Sequence, residues 1–236
     1  MKKLINSSLF VLAVTILTAG YTKGQTGKET RNVSDFNEVN FGIAGNLYIK
    51  FGTAFSVVLE GDKEYLGQIE TDVRNGKLII RSENHNFFNF NNQKADVYIT
   101  MPSLRSLGVS GSGRASIEDA VKAETLDLNV SGSGKIVVND LTVAGLHCGI
   151  SGSGDIVLNG SGQVQKGDFS VSGSGSFKGE NVKVADLEVG ISGSGSCSCN
   201  VTENLKASVS GSGNVWYSGN PRLDVRSSGS GHVRSR

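Results

Sequence analysis

The sequence predicts an all-β fold, a right-handed parallel β-helix (a solenoid) of about seven regular coils behind an irregular N-terminal cap. Three observations carry this. The tetrapeptide Ser-Gly-Ser-Gly begins at Ser110, Ser131, Ser151, Ser172, Ser192, Ser210 and Ser228, at spacings of 21, 20, 21, 20, 18 and 18 residues. Self-similarity at such a period marks a stacked-repeat architecture. Around each tetrapeptide, apolar residues fall on every second position, the period of extended chain with one face in and one out. Glycine (32 of 236) and serine (31) are abundant and proline (2) is scarce; without the periodicity that composition would read as disorder.

The chain opens with Met1-Lys2-Lys3, an apolar run from Leu9 to Leu17 and the small residues Thr18, Ala19 and Gly20. That order is a secretory signal peptide, residues 1–24, and the run falls short of the ~20 residues that span a bilayer. No cysteine in it offers a lipid attachment point. Its removal takes away three lysines and no acid, so the net charge of +1 becomes −2. Lys+Arg (23) against Asp+Glu (22) excludes a basic nucleic-acid binder and an acidic disordered tail.

Residues 25–105 follow the repeat grammar loosely and are expected to cap the solenoid within one continuous domain. Val39, Phe41 and Ile43 alternate, Ala44-Gly45 interrupts them, and Leu47 and Ile49 resume. A short helix is expected near Asp62–Ile69, a turn at Asn75-Gly76 and a strand through Val97, Ile99 and Met101, ended by Pro102.

Residues 106–236 are the repeats. With the first Ser of each tetrapeptide as position zero, position −1 reads Val109, Val130, Ile150, Val171, Ile191, Val209 and Ser227. Position −3 reads Leu107, Leu128, Cys148, Phe169, Val189, Ala207 and Val225, and position +5 reads Ala115, Ile136, Ile156, Phe177, Cys197, Val215 and Val233. Each repeat is read as strand, glycine corner and strand, with both corner glycines facing inward, and a third short segment closing the coil at Leu141–Val143, Val182–Val184 and Val201. The seventh repeat has Ser227 and Ser235 at inward positions and Arg222, Arg226, Arg234 and Arg236 around it. A frayed last coil with arginines that oppose end-to-end stacking is the expectation there.

Three blocks lead into the array: Phe36-x-x-Val39-x-Phe41-x-Ile43 with Gly45-x-Leu47-x-Ile49-x-x-Gly52; Val58-Leu59-Glu60-Gly61-Asp62 with Gly76-x-Leu78-x-Ile80; and Val97-Tyr98-Ile99-Thr100-x-Pro102-x-Leu104. Over roughly residues 36–220 these resemble the "putative auto-transporter adhesin, head GIN domain" family of exported Bacteroidetes-type proteins. The resemblance implies a right-handed β-helix in the periplasm or at the cell surface of a Gram-negative bacterium. It carries no catalytic residues over. Many members of the family begin as lipoproteins, and this chain lacks the cysteine that would anchor one.

Position −4 is the first candidate site. It points outward and reads Ser106, Asp127, His147, Asp168, Glu188, Lys206 and Asp224. Stacked carboxylates raise one another's pKa or recruit a cation, whereas His147 and Lys206 between them make a solvated, self-neutralising face. The second candidate is the asparagine-rich aromatic loop with Phe87, Phe88 and Phe90, which suits carbohydrate or protein contact if exposed and end-packing if not. The serine ladders read as small corner residues or as a flat hydroxyl face. Cys148, Cys197 and Cys199 all fall at inward positions and read as buried small residues. His85, His147 and His232 are scattered, and position +4 offers one Asp in seven repeats, so neither zinc nor a calcium-binding repeat is expected. No nucleotide, dinucleotide or nucleophile motif occurs, and no cofactor is expected. The sequence therefore points to a non-catalytic envelope module binding a glycan or an envelope protein, with a polysaccharide lyase or a purely structural or sensing domain as alternatives.

Overall fold

The computed structural model describes residues 26–82 and 94–236. Residues 1–24, expected as a signal peptide, and Phe87, Phe88 and Phe90 lie outside the described residues. The N-terminal part runs β1 (Thr26–Arg31), β2 (Glu38–Gly42), β3 (Gly45–Phe51), β4 (Ser56–Asp62), α1 (Lys63–Leu66), β5 (Ile69–Arg74), β6 (Lys77–Ser82) and β7 (Ala95–Met101). The repeats follow as β8 (Ser106–Gly111), β9 (Arg114–Ile117), β10 (Val121–Gly132), β11 (Lys135–Val138), β12 (Leu141–Gly152), β13 (Asp155–Leu158) and β14 (Gln163–Gly173). The chain ends with β15 (Ser176–Gly193), β16 (Ser196–Gly211), β17 (Asn214–Ser218), β18 (Arg222–Gly229) and β19 (His232–Ser235).

Every repeat pairs with the next in parallel and without slip through its corner: Ser110, Ser131, Ser151, Ser172, Ser192, Ser210 and Ser228 form one unbroken ladder. The seven corners, joined by their closing segments, make a β-solenoid of about 6 turns. Ile136, Ile156, Leu128 and Val130 are among the residues that fill its interior, all at most 3% exposed. Alternation fixes this register, because a one-residue slip would turn the whole apolar set to water.

The two corner glycines do different jobs, and this corrects the reading that both face inward. The glycine at +1 has φ between +89° and +118° throughout the array, a region that favours glycine. It turns the chain. From Gly132 onward, a Cβ there would lie under 3.0 Å from the carbonyl oxygen of the equivalent glycine one coil below, along the stacking direction rather than into the core. The glycine at +3 is the inward one: a Cβ on Gly134, Gly175 or Gly213 would collide with a methyl group of Val109, Ile150 or Ile191, the −1 residue of the preceding coil.

The shift in period from 20 to 18 residues has a local cause. Between β15 and β16 the register jumps from Gly179↔Cys199 to Lys183↔Asn200, so three residues drop out of the closing segment. One is regained between Val184↔Val201 and Asp186↔Asn204. At the outer bends, Asn139 and Asn181 donate side-chain hydrogen bonds to the carbonyls of Glu118 (3.3 Å) and Asn159 (2.9 Å) one coil below.

The N-terminal part does not add its coils in chain order. β2 and β3 form a coil that stacks on β8 and β9 on one side and on β6 and β7 on the other. The first coil of the chain therefore lies between the second and the third. Beyond it, β5 closes β6, β4 closes β7 and β1 closes β4, all antiparallel. Asp62 caps α1, accepting from the amides of Glu64 (3.0 Å) and Tyr65 (3.2 Å), and Asn75-Gly76, with φ of 51° and 76°, makes the β5–β6 hairpin turn.

At the other end the last coil is not frayed. β18 and β19 keep full register with β16 and β17, because the main-chain ladder does not depend on what the side chains bury. The coil is unsealed instead: Leu223 and Val225 are 49% and 43% exposed, and Ser227, in place of an aliphatic residue, turns its hydroxyl to the Gly231 carbonyl at 3.0 Å. Arg236 pairs with Glu180 and lies 5.9 Å from the Trp216 ring.

Candidate functional site

Strand register puts the −4 residues on one outward ladder. Asp127 lies opposite His147, His147 opposite Asp168, Asp168 opposite Glu188, Glu188 opposite Lys206, and Lys206 opposite Asp224. Lys206 bonds Glu188 at 2.7 Å in a solvent-exposed pair. The ladder runs on into the N-terminal part, where Ser106 faces Glu38 and Glu38 faces Lys77.

Glu38 is the fixed charge of this column. Arg105 and Lys77 (3.0 Å) both donate to it, and its side chain is 13% exposed. The hydrogen bond from Arg105, then that from Lys77, holds its carboxyl below the usual range. A depressed carboxylate stabilises the fold above its unfolded pKa, and that contribution is lost as pH falls through the folded pKa. Glu38→Gln is therefore expected to lower stability near neutral pH by under about 1 kcal/mol, the scale of a screened pair. The two proteins should converge in acid. Urea melts across the pH range check this; a gap that does not close on acidification would show that the loss is not ionic.

One glycine opens the same face: Gly145 stands where the neighbouring coils have the exposed Thr125 and Lys166. Its missing side chain leaves a groove of about 480 Å³ that also touches the backbone of Gly167, an inward position, and is bordered by Glu124, His147, Gln165, Lys166, Asp168 and Glu188. It brings three predicted ladder residues together, while Asp127 and Asp224 lie outside its lining. Gln165, Lys166 and Glu124 were missed as site residues, since nothing in a repeat pattern marks a place where side chains are absent. Among the described residues no three His, Cys, Asp or Glu side chains converge to hold a metal.

The family model described as "Putative auto-transporter adhesin, head GIN domain" matches residues 35–221. The chain belongs to this family. Solved structures share the fold. A "putative adhesin" from Bacteroides fragilis superimposes with a TM-score of 0.79 at 24% identity, over 90% of this chain and 97% of that one. A second "putative adhesin", from Parabacteroides distasonis, gives 0.73 at 26% identity, over 91% and 98%. A "putative lipid binding protein" from the same species gives 0.73 at 24%, again over 91% and 98%. No curated protein matches the sequence. The names carried by the family and by these neighbours are those of adhesion and binding. No helix among the described residues is long and apolar enough to cross a membrane.

The three thiols of this head GIN domain are free and buried. Burial pushes Cys148 well up; its hydrogen bond with Cys199, followed by burial, does the same for Cys197. A thiol kept protonated inside a rod is a poor nucleophile. A thiol-reactive disulfide reagent should titrate no cysteine in the native protein and three after denaturation; rapid native labelling would mean that the coils open locally.

Proposed function

We propose that this head GIN domain is an exported, non-catalytic adhesion module of the cell envelope that binds a glycan in the groove over Gly145 and Gly167. The groove carries the reading. It presents an imidazole, an amide, an ammonium and carboxylates on a rigid sheet, the mix of donors and acceptors that neutral or weakly charged sugars meet through their hydroxyls. The amino-terminal leader and the Bacteroidetes origin of the structural neighbours support placement at the periplasm or cell surface.

A glycan array followed by calorimetry on the best ligand tests it. The triple variant His147→Ala, Asp168→Asn, Glu188→Gln should bind at least tenfold more weakly while melting like the parent. Unchanged affinity would move the site elsewhere, and binding of no glycan would leave a structural or sensing role. Incubation with acidic polysaccharides should release no unsaturated or reducing ends; turnover abolished by the same substitutions would replace this reading with a lyase.

A further inference from the structure

The two ends of the rod differ. At the N-terminal end β1, β4 and β5 close the stack with antiparallel pairings, whereas the last coil is bare. All eight residues of β18 are exposed, Leu223 and Val225 at their inward positions included. Among the described residues β18 pairs with β16 alone and β19 with β17 alone, so each strand presents a second edge of main-chain N–H and C=O groups. Strands β6 and β7, which flank the internal segment outside the described residues, stand at the opposite end of the stack.

The charge on this bare coil is uncompensated. Arg222, Arg226 and Arg234 are exposed and make no ion pair among the described residues. Of the four arginines here, Arg236 alone is paired, with Glu180. Asp224 is the one carboxylate on the two strands, and it lies opposite Lys206 in register. In a parallel in-register stack each residue lies over its counterpart one coil below. A further strand would therefore place its residues over Arg222, Leu223, Asp224, Val225 and Arg226 in turn.

We propose that this end docks an extended segment of a partner protein as one further coil, parallel to β18 and β19. Its apolar residues cover Leu223 and Val225, and its carboxylates meet Arg222, Arg226 and Arg234. An open strand edge repeats donors and acceptors at the spacing of another main chain. Covering the two apolar side chains removes them from water, as their counterparts in the other coils already are. Guanidinium groups without a partner select carboxylates. A second copy of this end would bring the same three arginines against these three. A lipid surface would take the arginines and the apolar pair but satisfy none of the main-chain groups. The site is at the end of the rod rather than on the ladder face, and it stands or falls separately from the glycan groove.

The test uses the full chain and a fluorescein-labelled peptide, read by anisotropy. The peptide copies residues 222–235 with Arg222→Glu, Asp224→Thr, Arg226→Glu, His232→Asn and Arg234→Glu. Saturable binding is expected, and an unaltered copy of residues 222–235 should bind at least tenfold more weakly. The protein variant Arg222→Gln/Arg226→Gln/Arg234→Gln changes only exposed side chains; it should melt like the parent and hold the acidic peptide at least tenfold more weakly. The variant Arg222→Glu/Arg226→Glu/Arg234→Glu should reverse the preference between the two peptides. N-methylation of one alternate set of residues in the peptide's first strand should abolish binding and that of the other set should spare it, because only one set turns its N–H groups to the edge. The proposal is overturned by absence of saturable binding, by binding that survives the glutamine replacements, or by equal effects of the two methylation sets. It is equally overturned if the unaltered copy binds as tightly, which would make this a self-associating end, or if the chain sediments with phosphatidylglycerol vesicles and binds no peptide.

Discussion

Gly173→Val should be among the most damaging single substitutions in the array, costing roughly 3–5 kcal/mol and shifting the denaturant midpoint accordingly. Two effects add. The residue sits at φ 118°, where a side chain is strained by ~1–3 kcal/mol. Its Cβ would press on the Gly152 backbone, which can yield only by opening the ladder, at ~1–3 kcal/mol for overpacking. Two glycines separate these effects. Gly111 has φ +89° but no atom within 4 Å of a built Cβ, so Gly111→Ala should show strain alone, about 1–2 kcal/mol. Gly190 has neither problem, and Gly190→Ala should be neutral or slightly stabilising, by up to ~1 kcal/mol, because alanine loses less entropy on folding. Equal losses at Gly111 and Gly173 would rule out coil-to-coil contact as a cause.

Phe169→Ala should cost about 3–5 kcal/mol, the usual range for deleting a buried aromatic ring. Phe169 and Phe177 sit in one coil with ring centroids 4.1 Å apart and are 1% and 2% exposed. That coil also has glycine at two inward positions. A Cβ on Gly167 would lie 3.3 Å from the Phe169 ring, and one on Gly179 would lie 2.8 Å from the Phe177 ring. The two rings fill the volume that the two glycines leave. Phe169→Val combined with Gly167→Leu copies the next coil, which has Leu187 and Val189, and should recover part of the loss. Thermal melts of the single and double variants decide the matter; no recovery would mean that the ring and the glycine are not coupled.

Much of this was legible because a stacked array repeats its local physics. Val130, Ile136 and Ile156 announced their burial through period two, and the −4 ladder followed from the spacing of the tetrapeptides alone. The corner was misread for a physical reason: glycine at an inward position and glycine at positive φ look alike in sequence, and only geometry separates Gly173 from Gly175. The order of the N-terminal coils was not legible, since a strand such as β2 shows its apolar face but not which of several later strands will cover it. The groove escaped notice because Gly145 creates it by absence.

The interleaved coil at the N-terminal end gives the molecule a direction of assembly. Strands β2 and β3 leave the ribosome before every strand that covers them, and neither of their flanks is covered until β6 and β7 arrive on one side and β8 and β9 on the other. Nothing upstream of residue 101 can complete a stack by sequential growth, so this part must close as a single cooperative nucleus with long loops to draw in. Each later coil needs only the one before it. The protein thus behaves like a seeded polymer with one permitted growing end, and its repeat number can change at that end without disturbing the seed.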